Sequence, residues 1–230
     1  DVNQRKSLSL RARVMATLVA VMLLGGLLAL GVQVFVVFPS YVELEQDQAR
    51  DDVARCQYAV EREVHHLAGF VADYARWNDS YEYVETRAPQ FIEDNFTIET
   101  FEENSLLGAW VLGLDGSVVW GETHDLSKED KPPLPTAELP TEGRWPAGHP
   151  LLPATDLTEK NGLFRTQHGV ALVAVHAITK TDGSGPVRGW MVMARLLTQD
   201  VVEAMVKQTR VAFVALDPAA LEDATDRTAL

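Results

Sequence analysis

The pattern of hydrophobic and polar positions begins with one long apolar run. From Val14 to Phe38 the chain has 25 residues without a charge, and Gln33 is the only strongly polar side chain among them. As a helix that rises about 1.5 Å per residue, this run reaches roughly 37 Å, enough to cross a hydrocarbon layer of about 30 Å with some tilt. The run therefore predicts a transmembrane helix over residues 14–38.

The length of this run and the charges beside it predict whether the segment is cleaved and how it is oriented in the membrane. A cleaved signal peptide is the alternative, but its apolar segment is about 7–15 residues long, whereas this run continues through the letters VQVFVVF. We therefore expect an uncleaved anchor. Residues 1–13 carry four basic side chains, and residues 43–52 carry five acidic ones. The positive-inside rule then places residues 1–13 in the cytoplasm and the chain after Phe38 outside.

A seven-residue repeat of apolar side chains follows the run. Pro39 is expected to end the membrane span, but helical spacing resumes directly after it. The repeat consists of Val53, Val60, Leu67, Tyr74 and Tyr81. It predicts one long helix over residues 42–84, within a membrane-proximal segment 39–85 that continues from the span. We expect its proximal half to form a homodimer with a second copy and its distal half to pack on its own domain. A helix packed only on its own domain is the alternative.

The period changes further along, in a domain expected over residues 86–216. The letters QFIEDNFTIETFEENSL indicate short helix and turn. LGAWVLGLDGSVVWG consists of two apolar runs joined by a loop that contains Asp115-Gly116, which predicts a β-hairpin. Residues 131–153 hold seven of the eleven prolines and predict an irregular excursion. Residues 154–160 have the length of one or two helical turns.

Three successive strands are predicted next, from the letters GLFRT, VALVAVHAIT and VRGWMVMARLL. The second is apolar at both parities, so we expect it to be covered on both faces and to lie centrally in the sheet. TQDVVEAMVKQ returns to helical spacing with Thr198 as N-cap, and VAFVAL is a candidate further strand. The expected segment 217–230 leads towards a second membrane span.

These elements predict an α+β fold. An N-terminal transmembrane helix continues into a long exterior helix, which packs on an antiparallel sheet of about five strands with the helices to one side.

Charge and cysteine content narrow the function classes. Without residues 1–13, the chain has 16 basic and 32 acidic residues, a formal charge of −16. Such a surface repels nucleic acids and anionic lipid headgroups, so neither is an expected partner. Cys56 is the only cysteine, which excludes an intrachain disulfide and leaves an intermolecular one open. No sequence motif for a nucleophilic, metal-dependent or phosphate-binding site is found, and no cofactor is expected.

The letters DYARWNDSYEYV, residues 73–84, resemble the signature of the fourth class of CHASE domains. The likeness continues through most of residues 42–197. It implies a Cache- or PAS-like extracytoplasmic sensor of a bacterial or archaeal membrane receptor, typically located between two membrane spans and ahead of a cytoplasmic cyclase, phosphodiesterase or histidine kinase. Asn78 departs from the family pattern, in which an acidic residue is common at this position.

The function expected from the topology and the resemblance is ligand sensing outside the cytoplasm. The chain would be part of a bacterial receptor in the inner membrane, with its sensor domain in the periplasm and its ligand a small molecule. Two alternatives stay open: a membrane-anchored structural or assembly protein without ligand, and a membrane-anchored periplasmic hydrolase.

Two interpretations of the aromatic stretch are open. Trp77 and Tyr81 pack the helix on the sheet while Asp79 caps the following loop, or their rings line a pocket for a cationic or amino-bearing ligand together with Asp73 or Asp79. Adjacent histidines on a helix point about 100° apart, so His65 and His66 predict no metal site.

Three further residues complete the candidate ligand set. Trp110 lies in the predicted hairpin. His176 is either a hydrogen-bonded core histidine or a ligand contact. Arg195 is, with Arg165 and Arg188, one of the basic residues of the three late strands. Either these arginines face solvent, or one of them binds a ligand carboxylate.

Overall fold

A computed structural model describes residues 10–153 and 158–211 of the chain. The chain divides into two compact units, Asp1–Ala54 and Arg55–Leu230. Each unit is described by itself below.

The first unit is helical throughout its described part. Helix α1, Leu10–Val32, is followed by a π-helical turn, Gln33–Val37, and by the beginning of α2, Phe38–Ala75. Apolar side chains such as Leu24 and Phe35 are exposed in the absence of a bilayer. Within the residues that the structure describes, this is the one helical stretch long and apolar enough to cross a membrane.

Pro39 does not end the helix, which continues from the apolar run into α2 as the sequence predicts. Proline has no amide hydrogen and its ring collides with the carbonyl group four residues earlier. The π-helical turn directly before it changes the local hydrogen-bond pattern, since the N–H of Phe38 donates to the carbonyl oxygen of Gln33, five residues back. The helix therefore passes Pro39 without stopping.

The second unit combines four further helices with a five-stranded sheet. The helices are α3, Asn78–Thr86; α4, Pro89–Asn95; α5, Ile98–Glu103; and α6, Gln199–Thr209. The strands are β1, Gly108–Gly113; β2, Val118–Thr123; β3, Glu159–Thr166; β4, Gly169–Ile178; and β5, Gly189–Leu196. This confirms the predicted α+β class, the hairpin and the three late strands.

The sheet is antiparallel with the order β2-β1-β5-β4-β3. Strand β5 is therefore central, and β4 lies between β5 and the edge strand β3. The prediction that β4 occupies the centre was wrong by one position. The prediction that it is covered on both faces is confirmed, because all residues from 171 to 178 are buried.

One face of the sheet is covered by helices. The last turns of α2 bury Leu67, Val71 and Ala75, and these side chains share a core with alternate residues of β4 such as Leu172 and Ala174. The predicted packing of the distal half of the long helix on its own domain is thus confirmed.

The opposite face is covered by the proline-rich excursion between β2 and β3. Leu139, Trp145 and Leu151 are buried there against Trp110 and the other parity of β4. Within residues 131–153 the excursion forms no helix and no strand beyond isolated bridges, as predicted. An irregular segment therefore replaces a second helical layer.

The long helix ends earlier than the seven-residue repeat predicts. Helix α2 stops at Ala75, and Trp77 adopts an extended conformation with φ −78° and ψ 142° before α3 begins. A single helix over 42–84 was therefore wrong beyond Ala75. A hydrogen bond from the residue after β4 stabilises this interruption, since the N–H of Thr179 donates to the carbonyl oxygen of Ala75 at 3.1 Å.

The structure describes only part of two smaller predicted elements. Glu159 and Lys160 belong to β3, so the suggested helical turns do not extend to them, and residues 154–157 lie outside the described part. Most of the candidate strand VAFVAL, residues 212–216, also lies outside it. Thr198 caps α6 as predicted, because its side-chain oxygen accepts a hydrogen bond from the N–H of Val201.

The neutral imidazole ring of His149 connects two parts of the proline-rich excursion. Its Nδ1 accepts a hydrogen bond from the N–H of Leu151 at 3.2 Å, and its Nε2 donates to the carbonyl oxygen of Glu138 at 3.0 Å. Burial lowers the pKa of His149 below the ordinary histidine value. A second proton would meet the N–H of Leu151 and break that bond.

We predict that acidification weakens the fold through His149. Its pKa is lowered in the folded state, so the unfolded chain binds a proton first as the pH falls through about 6.5, and the free energy of unfolding decreases below that pH. His149→Gln should reduce this slope in thermal unfolding measured from pH 7.5 to 5. His65→Gln, an exposed change on α2, is the matched control. Identical slopes for His149→Gln and the unmodified chain would contradict the assignment.

Candidate functional site

The signature stretch surrounds the interruption between α2 and α3. Trp77 lies between the two helices and is 36% exposed. Its ring stacks on Tyr74 with centroids 4.4 Å apart. Tyr74 in turn contacts Phe96, whose ring lies 4.8 Å from that of Trp120 on β2. The aromatic residues thus form a continuous cluster from α2 to the sheet.

The interruption is fixed from both sides. The Oγ of Ser80, which is 1% exposed, donates to the carbonyl oxygen of Tyr74 at 2.5 Å. This bond satisfies one of the carbonyl groups that the end of a helix leaves without an intrahelical partner. Together with the bond from Thr179 to Ala75, it anchors the end of α2 to α3 and to β4.

Tyr81 has basic residues against its ring. The guanidinium carbon of Arg188 lies 3.8 Å from the ring centroid, and Nζ of Lys180 lies 5.6 Å from it. Arg188 also donates to the carbonyl oxygen of Tyr81 at 3.2 Å and pairs with Glu85 at 3.2 Å. This is a cation–π arrangement in which the cation comes from the protein itself.

Asn78 has a structural role that its amide side chain explains. Its Oδ1 accepts a hydrogen bond from the N–H of Thr181 at 3.2 Å, which attaches the loop between β4 and β5 to the start of α3. A carboxylate at this position supplies the same acceptor. Asn78 therefore makes this contact without a charge.

His176 is a buried histidine with partners at both ring nitrogens. Its Nδ1 donates to the carbonyl oxygen of Ala177 at 2.9 Å, so its Nε2 is free to accept from the guanidinium of Arg76 at 3.2 Å. Arg76 lies in the interruption itself. The pair therefore connects the signature stretch to the interior of β4.

The predicted site residues separate into three places. Trp77 and Tyr81 lie at the interruption, and His176 is connected to it through Arg76. Asp73 and Asp79 are exposed on the helices beside it, whereas Trp110 and Arg195 lie elsewhere. Asp79 lies in the first turn of α3, where a negative charge is favoured by the helix dipole. Their contact with a ligand stays a prediction.

Trp110 lies on the opposite face of the sheet. A Cβ at Gly108 or at Gly121 would approach atoms of its indole to 2.5 Å, so the close approach of this ring requires glycine at both positions. The ring of Trp145 packs edge-on against it at 6.0 Å. Side chains thus fill the space around Trp110.

Arg195 connects β5 to α2 and to the end of α5. Its Nε donates to the carbonyl oxygen of Asn104 at 2.9 Å, and its guanidinium lies 3.4 Å from the carboxylate of Glu63. Burial lowers the pKa of Arg195, and the nearby Glu63 opposes that shift. The solvent-facing interpretation of this residue is therefore not what the structure shows.

Sequence reasoning did not connect the basic residues to the interruption. Arg76 and Lys180 have no pattern that marks them, and Arg188 was considered only as a solvent-facing strand residue or a partner for a ligand carboxylate. Lys180 and Arg188 are about a hundred positions from Tyr81 along the chain. It also missed His124, whose ring nitrogens lie 2.9 Å from the carbonyl oxygen of Lys131 and 2.8 Å from the carboxylate of Glu122.

Comparison with known protein families shows the family to which the chain belongs. The model of the CHASE4 domain matches residues 59–215. The chain belongs to the CHASE4 family. This confirms the resemblance drawn from the signature stretch, and the domain is an extracytoplasmic sensing domain. No curated protein matches the chain.

Similarity to solved structures is found at low sequence identity, and the first of them has the same kind of fold. The extracellular domain of vpHK1S-Z8, assigned as a histidine kinase, is 10% identical with a TM-score of 0.51 and covers 71% of this chain. This CHASE4 chain spans 63% of that domain's length. The sensor domain of E. coli DcuS is 13% identical with a TM-score of 0.44, covering 65% of this chain and 98% of its own.

A domain of a sensory box/GGDEF family protein from Vibrio parahaemolyticus is 9% identical with a TM-score of 0.48, covering 70% of this chain and 64% of its own.

We predict that Asn78→Ala loosens the loop between β4 and β5, because the N–H of Thr181 loses its acceptor. The loss of one such bond is about 1 kcal/mol, or about a fivefold faster local exchange. Hydrogen–deuterium exchange of the peptide covering 179–188 measures it. Asn78→Asp keeps an acceptor oxygen and is the matched control. Equal exchange in Asn78→Ala and Asn78→Asp would show that this hydrogen bond does not hold the loop.

Proposed function

We propose that this chain is the sensing region of a bacterial receptor in the inner membrane, with its CHASE4 domain in the periplasm. Binding of a small molecule would be passed through the membrane to a cytoplasmic output module, either a cyclic-di-nucleotide cyclase or phosphodiesterase or a histidine kinase. The observation that carries this proposal is the CHASE4 match over residues 59–215, which follows an apolar helical stretch of membrane-spanning length in the chain.

Charge supports the orientation. The basic residues Arg11 and Arg13 lie at the start of the apolar helix, and the residues after Phe38 begin with an acidic segment. Basic residues next to a span are retained on the cytoplasmic side. The CHASE4 domain would then lie outside.

The signature stretch is proposed to couple the sheet to α2. Its contacts support this role. Ala75 at the end of α2 bonds to Thr179 directly after β4, and Arg76 in the interruption bonds to His176 of β4. These hydrogen bonds would transmit a displacement of β4 directly to the last turn of α2, because no flexible linker lies between them.

A homodimer through the membrane-proximal half of α2 is also part of the proposal. Val53 is 58% exposed although its side chain is apolar, and it lies on the same face of α2 as Cys56, three residues further on. Cys56 lines an apolar groove of about 660 Å³ together with Val60 and Leu163, which is 54% exposed. A second copy of α2 would cover these side chains.

The orientation predicts the outcome of a reporter fusion. Alkaline phosphatase, which is active only outside the cytoplasm, should be active when fused after Leu230 of this chain. A reporter active only in the cytoplasm should be inactive at that site and active when fused after Arg13 in a truncated control. The opposite pattern would reject the orientation and the periplasmic sensor with it.

The dimer predicts a periodic cysteine crosslinking profile. In a Cys56→Ala background, single cysteines placed from residue 45 to residue 67 should crosslink under mild oxidation in membranes, with maxima at three- and four-residue intervals. Cysteines at positions packed on the sheet, such as Leu67, serve as buried controls. A profile without periodicity would rule out a paired helix.

A further inference from the structure

A cavity of about 550 Å³ lies at the end of β5 in the second unit, away from the signature stretch. It is formed by the connection from α5 to β1, the segment after β2, Leu134 and the junction between β5 and α6. Its volume is within the range of about 300–1,000 Å³ that is usual for small-molecule sites.

The cavity and the signature stretch lie at opposite ends of the central strand. Strand β5 begins at Gly189, next to Arg188 and its contact with Tyr81. It ends at Leu196, which lines the cavity and pairs with Ala171 near the start of β4. Helix α6 begins at the cavity, with its N-cap Thr198 in the wall.

The interior wall of the cavity is apolar and is fixed by hydrogen bonds. The N–H of His124 donates to the carbonyl oxygen of Leu107 at 2.9 Å, and the N–H of Leu107 donates to that of Ala194 at 2.8 Å. The two ring contacts of His124 hold the segment after β2 in place. The apolar lining consists of Leu106, Leu107, Leu126, Leu134, Leu196 and Val201.

The charged residues of the lining favour a positively charged ligand. Three carboxylates, those of Glu102, Asp125 and Asp200, line the cavity, and among the described residues around it no lysine or arginine does. Hydrogen bonds from Ser127 lower the pKa of Asp125, which is therefore ionised at neutral pH. Lys131 forms an ion pair with Glu102. The charge of Lys128 also lowers the pKa of Asp125.

The N-terminus of α6 is the feature that would favour an anion instead. Its dipole places partial positive charge at the cavity wall. Asp200 lies in the first turn of α6 and opposes that charge. The three carboxylates of the lining have two nearby lysines, Lys131 and Lys128, so the cavity keeps an excess of one negative charge.

The signature stretch is a poorer site for a cation. Arg188 already lies against the ring of Tyr81 at 3.8 Å, and Lys180 lines the hollow beside it together with the carboxylates of Glu82 and Asp182. A cationic ligand there would compete with these two protein cations for the same carboxylates and the same ring. The cavity at the other end of β5 has no such competitor in its described lining.

From these observations we infer that the cavity between α5, the segment after β2 and α6 binds a small organic cation with an apolar body, such as an arylalkylamine. This rests on the proposed sensor function and specifies its ligand class. The apolar part would contact the leucines, and the ammonium group would lie between Asp125 and Asp200. Occupancy would stabilise the junction from which α6 leaves the sheet.

The inference is tested with two probes of similar size and opposite charge, 2-phenylethylamine and 3-phenylpropionate. Each is titrated against the full chain in lipid nanodiscs, and tryptophan fluorescence reports thermal unfolding. The amine should raise the unfolding temperature, because a ligand that binds only the folded state stabilises it. The carboxylate should not.

Charge-removing variants distinguish this cavity from non-specific uptake into the lipid. Asp200→Asn and Asp125→Asn should each weaken amine binding about fivefold, as expected for a partly exposed charge contact. Asp130→Asn makes the same change in the same loop outside the cavity lining and should leave the affinity unchanged.

Three results would overturn the inference: no stabilisation by the amine, stronger stabilisation by the carboxylate, or equal amine affinity in Asp130→Asn and in the Asp125→Asn/Asp200→Asn double variant. Each leaves the receptor proposal to the reporter fusions, which do not depend on the ligand. A failed reporter test with intact amine binding would reject the receptor orientation and keep the site.

Discussion

The apolar character of β4 and β5 on both faces is the constraint on which the rest of this domain depends. In β4, Leu172 and Ala174 belong to one core and Val173 and Val175 to the other, and all four side chains are fully buried. A sheet of this kind exposes no face to water, so it requires a covering layer on each side. Helices supply one layer and the proline-rich excursion supplies the other.

This arrangement places the functional features at the ends of the strands. The faces of the sheet are filled, whereas the strand ends leave room for loops and helix termini. At one end, the interruption between α2 and α3 bonds to Thr179 and His176. At the other end, the cavity lies beside Leu196 and the N-terminus of α6. Strand β5 connects both places.

Periodicity in the sequence predicted the elements well, because each is specified by its own residues. The hairpin around Asp115-Gly116, the strand with apolar residues at both parities and the cap at Thr198 all follow from local chemistry. The end of α2 at Ala75 does not. The seven-residue repeat continues through Tyr81, and the interruption is stabilised by the backbone of Thr179, about a hundred residues away.

The candidate site was predictable only in part for the same reason. The aromatic residues of the signature stretch were recognisable from the family resemblance. Arg188 contacts Tyr81 because the sheet brings the start of β5 next to α3. No pattern in the sequence around Arg188 predicts this contact. The cavity combines residues from Glu102 to Val201, so it exists only in the folded chain.

Hydrogen–deuterium exchange of the full chain in nanodiscs tests the central claim most directly. If coverage of both faces holds the domain together, the amides of residues 171–178 and 189–196 exchange only through global unfolding and are the slowest of the domain. The peptide covering the edge strand, residues 159–166, should exchange earlier. Exchange of 171–178 at the rate of 159–166 would contradict the account.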